Sequence, residues 1–277
     1  MQQICTLIDA TWVIPVVPAN SALENHSIAI ADDKIIDILP TEDAKKKYVP
    51  NTHHQLKGQA LIPGFINTHT HAAMALLKGF ADDLPLSEWL NNHIWPTEGK
   101  HVSHQFVYDG ASIAIAEMIK SGTTTINDMY FFPEATAQAA EDAGIRASIG
   151  IIALDFPSAY AQNFEEYISK GLELHAKYES SPMISTMFAP HAPYTVSSEN
   201  LQKIRSLAQD KNLKVQMHIH ETAFEVEQAE TETGDRPLTS LNQIDFLGSN
   251  LIAVHMTQLT DSEIALISEK GVSVAHC

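Results

Sequence analysis

The sequence predicts an α/β chain, most of it a (β/α)8 barrel of the TIM type with about seven of its eight strands, preceded by a small N-terminal β portion. Three observations carry this. From Pro63 onward, short apolar strand-like runs alternate with longer helical stretches, the pattern of parallel β/α units. Histidines and carboxylates close several of those runs, and a barrel gathers its functional groups at the C-terminal ends of all its strands. The first β/α turn has no Gly-x-Gly-x-x-Gly, which an open dinucleotide-binding sheet would place there.

Residues 1 to about 60 read as short strands at Ile4 to Ile8, Ser27 to Ala31, Lys34 to Leu39 after an Asp32-Asp33 turn, and Ala60 to Ile62. Their β-branched content and turn spacing suggest an antiparallel unit. The expected core strands are Gly64 to Thr68, Thr123 to Asp128, Arg146 to Leu154, Ile184 to Ala189, Lys214 to His218, Leu251 to His255 and Val272 to Ala275. Helices are expected over 102–121, 133–143, 163–179, 197–211, 222–232 and 260–270. Ser197 suits an N-cap, Thr260 to Glu263 has capping-box spacing, and Gly122, Gly144 and Gly271 stand where helices should stop.

About 217 of the 277 residues remain after the first 60, against about 250 for a typical barrel. The last residues, Val272 to Cys277, form a strand-like run with nothing behind it, so the barrel over 61–277 is expected to lack its last strand.

Composition narrows the function. Seventeen Lys and Arg face 34 Asp and Glu, a formal charge of −17, which disfavours nucleic-acid and anionic-membrane partners. No run approaches the length of a membrane span, and the N-terminus does not read as a signal peptide, so the cytoplasm is the expected location. Cys5 and Cys277 form neither a disulfide framework nor a Cys-x-x-Cys motif. Oligomeric state is not legible, and a homo-oligomer is compatible with the sequence.

The chemistry lies in the histidines. His69 and His71 are alternate residues at the end of an apolar run, so both rings share a face and can reach one ion. His218 closes a second run and is followed by His220 and Glu221. His191 and His255 close two more. His53-His54, His101 and His104 stand in polar stretches and are expected to be solvated. Three neutral imidazoles and a carboxylate around an open position suit Zn²⁺, which lowers the pKa of bound water to about 7. His69, His71 and His218 are the expected ligands, with His220 as second choice; the fourth ligand, a carboxylate ending strand eight, would lie beyond Cys277. Glu221 is placed to pass protons, a role contributing about 10² to 10⁴ in rate. His255 would orient the attacking hydroxide.

Six segments together resemble the amidohydrolase superfamily: Pro63 to His71, Ile94 to Glu98, Ser121 to Met129, Phe188 to Thr195, Met217 to Thr222 and Val254 to Leu259. Within it they are similar to the 5'-methylthioadenosine/S-adenosylhomocysteine deaminases, over essentially the whole chain. The resemblance implies an N-terminal β-sandwich portion over 1–60, a metal-dependent barrel over 61–277, one divalent metal ion of the Zn²⁺ type, and hydrolytic deamination of a 6-aminopurine nucleoside to the inosine analogue and ammonia. It implies metal ligation by His69, His71 and His218, proton shuttling and purine contact by Glu221, a place beside the attacking water for His255, ribose binding by Glu98 and purine contact by His191. It also implies a strand-eight Asp and C-terminal sandwich strands that this sequence does not include. Related members deaminate guanine or hydrolyse chlorinated triazines with nearly the same ligand set, and a catalytically incomplete fragment is a third reading.

Overall fold

The computed structural model describes residues 1–277 and divides into two compact units, Met1–Gly64 and Phe65–Cys277. The first unit contains β1 (Gln2–Val13), β2 (Leu23–Ala31), β3 (Lys34–Pro40), α1 (Thr41–Lys47) and β4 (Tyr48–Leu61). Its four strands form one sheet in the order β3-β2-β1-β4. The β1/β2 and β2/β3 pairs are antiparallel, as expected, but β1 and β4 run parallel. A parallel partner needs a crossover rather than a hairpin, and β2, β3 and the unforeseen α1 supply it.

Leu7, Ala29, Ala44 and Tyr48 fill the small core between this sheet and α1. His53, expected to be solvated, instead pairs through Nε2 with Asp9 Oδ2 at 2.8 Å, and Asp9 also accepts the Ser27 hydroxyl at 2.6 Å. A carboxylate held mostly out of water requires such partners.

The second unit begins with β5 (Phe65–Thr70), a 3-10 turn over Ala72–Leu77, α2 (Leu86–Trp89), a π turn over Leu90–Ile94, and α3 (Trp95–His101). Then follow α4 (His104–Lys120), β6 (Thr123–Asp128), α5 (Pro133–Ala143), β7 (Arg146–Ala153), α6 (Phe164–Tyr178), β8 (Ile184–Pro190) and α7 (Ser198–Asp210). The chain continues through β9 (Val215–Ile219), α8 (Ala223–Thr233), α9 (Pro237–Gln243), β10 (Leu251–His255), α10 (Asp261–Lys270) and β11 (Ser273–Ala275).

These seven strands are parallel neighbours in chain order from β5 to β11, a nearly closed barrel wall. All seven expected strands are present, within about two residues of their expected ends, which is the ordinary spread of such boundaries. The short helices α2, α3 and α9 were not foreseen. They lack a repeated apolar stripe, and their geometry comes from what they pack against.

Local signals explain the longer helices. Ser103, Asn163, Ser197, Thr222 and Thr260 each accept a backbone N–H at a helix start, and Thr260 and Glu263 complete a reciprocal capping box. Gly144 and Gly271 end α5 and α10 at φ 70° and 69°, a conformation that costs a residue with a Cβ. Alternation then sorts the strands. On β9, Val215, Met217 and Ile219 pack into the core beneath the helices, which leaves Gln216 and His218 for the opposite, inner face.

Helix-to-strand packing leaves no room for a side chain where α6 crosses β7. A Cβ on Gly171 would lie 2.0 Å from Ile151 Cγ2, and Ile151 is wholly buried. Gly171→Ala is expected to destabilise the fold by about 1–3 kcal/mol through overpacking, despite alanine's better helix propensity. Urea unfolding of the two forms checks this; an unchanged or higher midpoint would show that β7 and α6 separate freely.

Candidate active site

The parallel register brings the C-terminal ends of the strands to one level. Thr70 is opposite Asp128, and His218 is opposite Val254, one residue short of His255. A cavity of about 560 Å³ opens there, lined by His69, His71, His191, His218 and His255 together with Glu98 and Glu221. All seven expected site residues therefore face one space. Its remaining walls are largely apolar and aromatic, including Trp89, Trp95, Leu154, Phe156 and Tyr194.

The five rings form one cluster of edge-to-face and tilted neighbours. The His69 centroid lies 4.8 Å from His71 and 4.9 Å from His218, and His191 lies 4.9 Å from His218. His69 Nε2 and His218 Nε2 are 3.1 Å apart. Donor atoms of His69, His218 and His255 lie within 4.8 Å of one another, close enough for one ion to be held among them. His71 adjoins it with its ring 5.1 Å from His218. Its Nδ1 donates to the Met129 carbonyl at 2.5 Å, so Nε2 keeps a free lone pair.

Burial governs the charge of this cluster. It pushes His69 and His191 down to about 3 and His255 to about 4, with His71 adding repulsion in each case. His71 and His218 are lowered for the same primary reason. The imidazoles are thus neutral with lone pairs available. Neutral nitrogen donors, backed by oxygen acceptors on their far sides, fit a divalent transition-metal ion.

The acids respond oppositely. Burial, and then Glu225, raises the Glu221 carboxyl to about 7, and burial raises Asp128 to about 6. Asp128, at the end of β6, accepts the Ala72 N–H at 2.7 Å and so anchors the turn after His71. Glu225 accepts backbone N–H groups from His220 and Glu221 at 3.0 and 2.7 Å, bracing the loop that presents Glu221. Glu221 Oε1 in turn stands 3.4 Å from His255 Nε2. Glu98, on α3, accepts the Tyr130 hydroxyl at 2.5 Å, and burial raises its carboxyl too.

His220, the alternative ligand, lies outside the cluster. The strand ends at Ile219, and His220 turns at φ 54°, which breaks the face parity with His218. Its ring spans the Gln258 carbonyl and the Leu238 N–H. Tyr130, Asp128, Asn127 and Gln216 were overlooked in sequence. The signal for Gln216 was its spacing of two from His218; the signal for Asn127 and Asp128 was their place at a strand end.

Low imidazole pKa values set a pH response. Protons are not expected to compete with a metal until well below the ordinary imidazole value of about 6.5. Zinc affinity, measured by chelator competition, should therefore change little between pH 7 and 5. A steep loss beginning near pH 6.5 would mean that the rings are solvated.

Residues 60–277 match the amidohydrolase family. The chain is 46% identical over 271 residues to a 5-methylthioadenosine/S-adenosylhomocysteine deaminase of Saccharophagus degradans, covering 98% of this chain and 61% of that protein. It is 40% identical to a 5'-deoxyadenosine deaminase of Methanosphaera stadtmanae, covering 92% of this chain and 59% of the relative. Its fold superposes on the crystal structure of an adenosine deaminase from Xanthomonas campestris with bound zinc at a TM-score of 0.98 and 44% identity, over 100% of this chain and 63% of that one. This chain thus spans about three-fifths of the length of the curated relatives it matches. With the family match covering the whole barrel unit, the chain belongs to the amidohydrolase family.

Proposed function

We propose that this chain carries the catalytic face of a metal-dependent aminohydrolase that converts a 6-aminopurine nucleoside and water to the inosine analogue and ammonia. The observation that carries the reading is the convergence of five neutral imidazoles, Glu221 and Glu98 on one apolar cavity. His69, His71 and His218 would hold one divalent ion, with His255 close enough to share or replace a ligand. Zinc suits the donor set and is the metal bound in the Xanthomonas adenosine deaminase structure. Such an ion supplies a hydroxide nucleophile near neutral pH.

The chain's own groups do the rest. Water oxygen adds to C6 of the purine as Glu221, held protonated up to about pH 7 by burial, donates a proton to the ring nitrogen. Glu221, now a carboxylate, moves the proton left on the added oxygen to the amine, the C6–N bond breaks, and ammonia leaves a ring that keeps C6=O and its protonated nitrogen. His255, 3.4 Å from Glu221, accepts the other water proton during the addition and returns it to Glu221 afterwards. His191 faces the purine, and the aromatic walls exclude water from it. One oxygen of Glu98 is engaged by Tyr130; the other is available to accept ribose hydroxyls, a role that a free base or a triazine would leave without purpose.

The 5' substituent is the finer question. The cavity lining includes the carboxylates Glu98 and Glu221 but no Lys or Arg. A substrate carboxylate or phosphate brought there would meet no cation, a costly placement. Uncharged 5' groups, as in methylthioadenosine, 5'-deoxyadenosine or adenosine, therefore suit these walls better than the zwitterionic tail of S-adenosylhomocysteine, whose carboxylate would meet no protein cation. Nucleic acid remains a poor partner on charge, and no helix is long and apolar enough to cross a membrane.

Ammonia release is expected from methylthioadenosine with kcat/KM at least ~10-fold above that for S-adenosylhomocysteine, about 1.4 kcal/mol; equal values would remove the charge argument, and turnover of guanine alone would overturn the nucleoside reading. Glu221→Gln should retain zinc but lose a factor of about 10² to 10⁴ in kcat. Undiminished turnover in that variant would exclude Glu221 from proton transfer.

A further inference from the structure

The geometry points to Gln216 as a positioning residue that fixes the tautomer of His69 and thereby the readiness of its Nε2 to take a metal ion. This rests on the metal-centre reading above. Gln216 is wholly buried on β9, two residues before His218. Its amide cannot turn over. Nε2 donates to the Asp128 backbone carbonyl at 3.2 Å and to Asn127 Oδ1 at 3.1 Å. Oε1 accepts from Asn127 Nδ2 at 3.1 Å, and that Nδ2 also donates to the Thr68 carbonyl at 2.8 Å. Backbone carbonyls only accept, so both amide NH2 groups are held in place and neither side chain can flip without burying two acceptors face to face.

The consequence falls on His69. Gln216 Oε1 lies 3.2 Å from His69 Nδ1. An amide oxygen only accepts, so His69 carries its proton on Nδ1 and presents an unprotonated Nε2 toward His218 Nε2. His71 is oriented by a backbone carbonyl, which no substitution removes. For His69 the same task falls to a side chain. The barrel makes room for it at Gly150, where a Cβ would lie 2.8 Å from the Asp128 carbonyl oxygen, 2.7 Å from Ala189 Cβ and 3.1 Å from Gln216 Nε2.

Nitrogen-15 NMR of the histidines in the metal-free chain reads the tautomer directly. His69 is expected to be protonated at Nδ1; a His69 protonated at Nε2 overturns the inference without any variant. In Gln216→Met, similar in length but without the amide oxygen, His69 should sample both tautomers. Its zinc affinity by chelator competition should fall about 10- to 100-fold. Gln216→Glu as a neutral acid can donate its O–H to the Asp128 carbonyl while its other oxygen accepts from His69, so it should restore the Nδ1 tautomer and most of the affinity. A folded Gln216→Met that keeps both the tautomer and the parental zinc affinity overturns the inference. If that variant does not fold, the wild-type tautomer and Gln216→Glu decide it. A wild-type chain that binds no zinc refutes the metal-centre reading, while its His69 tautomer still reports on Gln216.

Discussion

Desolvation of imidazole is the constraint on which the rest of the barrel's active end depends. Five rings crowd the ends of strands β5, β8, β9 and β10, where water is too scarce to stabilise their charged forms. Each ring must remain neutral and find partners for the nitrogens it buries. Met129 O, Gln216 Oε1 and Thr195 Oγ1 meet the Nδ1 atoms of His71, His69 and His191. The Nε2 side is thereby left to the cavity. Structural satisfaction and metal-binding competence are two results of the same hydrogen bonds.

That arrangement strains the chain where strands end. His220, His255 and Met256 all adopt left-handed φ of 54°, 76° and 55°, a conformation costing of order 1–3 kcal/mol per non-glycine residue. Cross-links offset it. Met256 N donates to Ile219 O and Thr257 N to His220 O, each at 3.0 Å, tying the two bent strand ends together. Glu225 braces the same loop through its two carboxylate bonds. Glu221 and His255 emerge from this braced pair of turns, so their 3.4 Å approach is a property of the loops as a unit.

The acids illustrate how one environment assigns different roles. Glu221 and Asp128 are both raised by burial, yet Asp128 accepts a backbone N–H at the base of the His71 turn, whereas Glu221 faces the cavity. Glu98 gains a phenol donor from Tyr130 and is directed by it. Position relative to the backbone, rather than acidity alone, separates a scaffold carboxylate from one that faces the cavity.

The sequence by itself determined the succession of β/α units and the histidines that close them. These depend on local alternation, capping residues and helix-stop glycines, which act within a few residues of chain. His69, His71, His191, His218, His255 and Glu221 were legible as a group because strand ends of a parallel barrel share one level, whereas Glu98, on α3, was legible only through the family resemblance. Only the tertiary structure decided that β1 and β4 pair in parallel, that His53 meets Asp9, and that His220 leaves the cluster while His255 stands within donor reach of His69 and His218. The Asn127–Gln216 amide pair likewise joins residues 89 apart in sequence. Such partnerships are set by which groups remain unsatisfied once the strands have packed, and no local pattern in the chain records that.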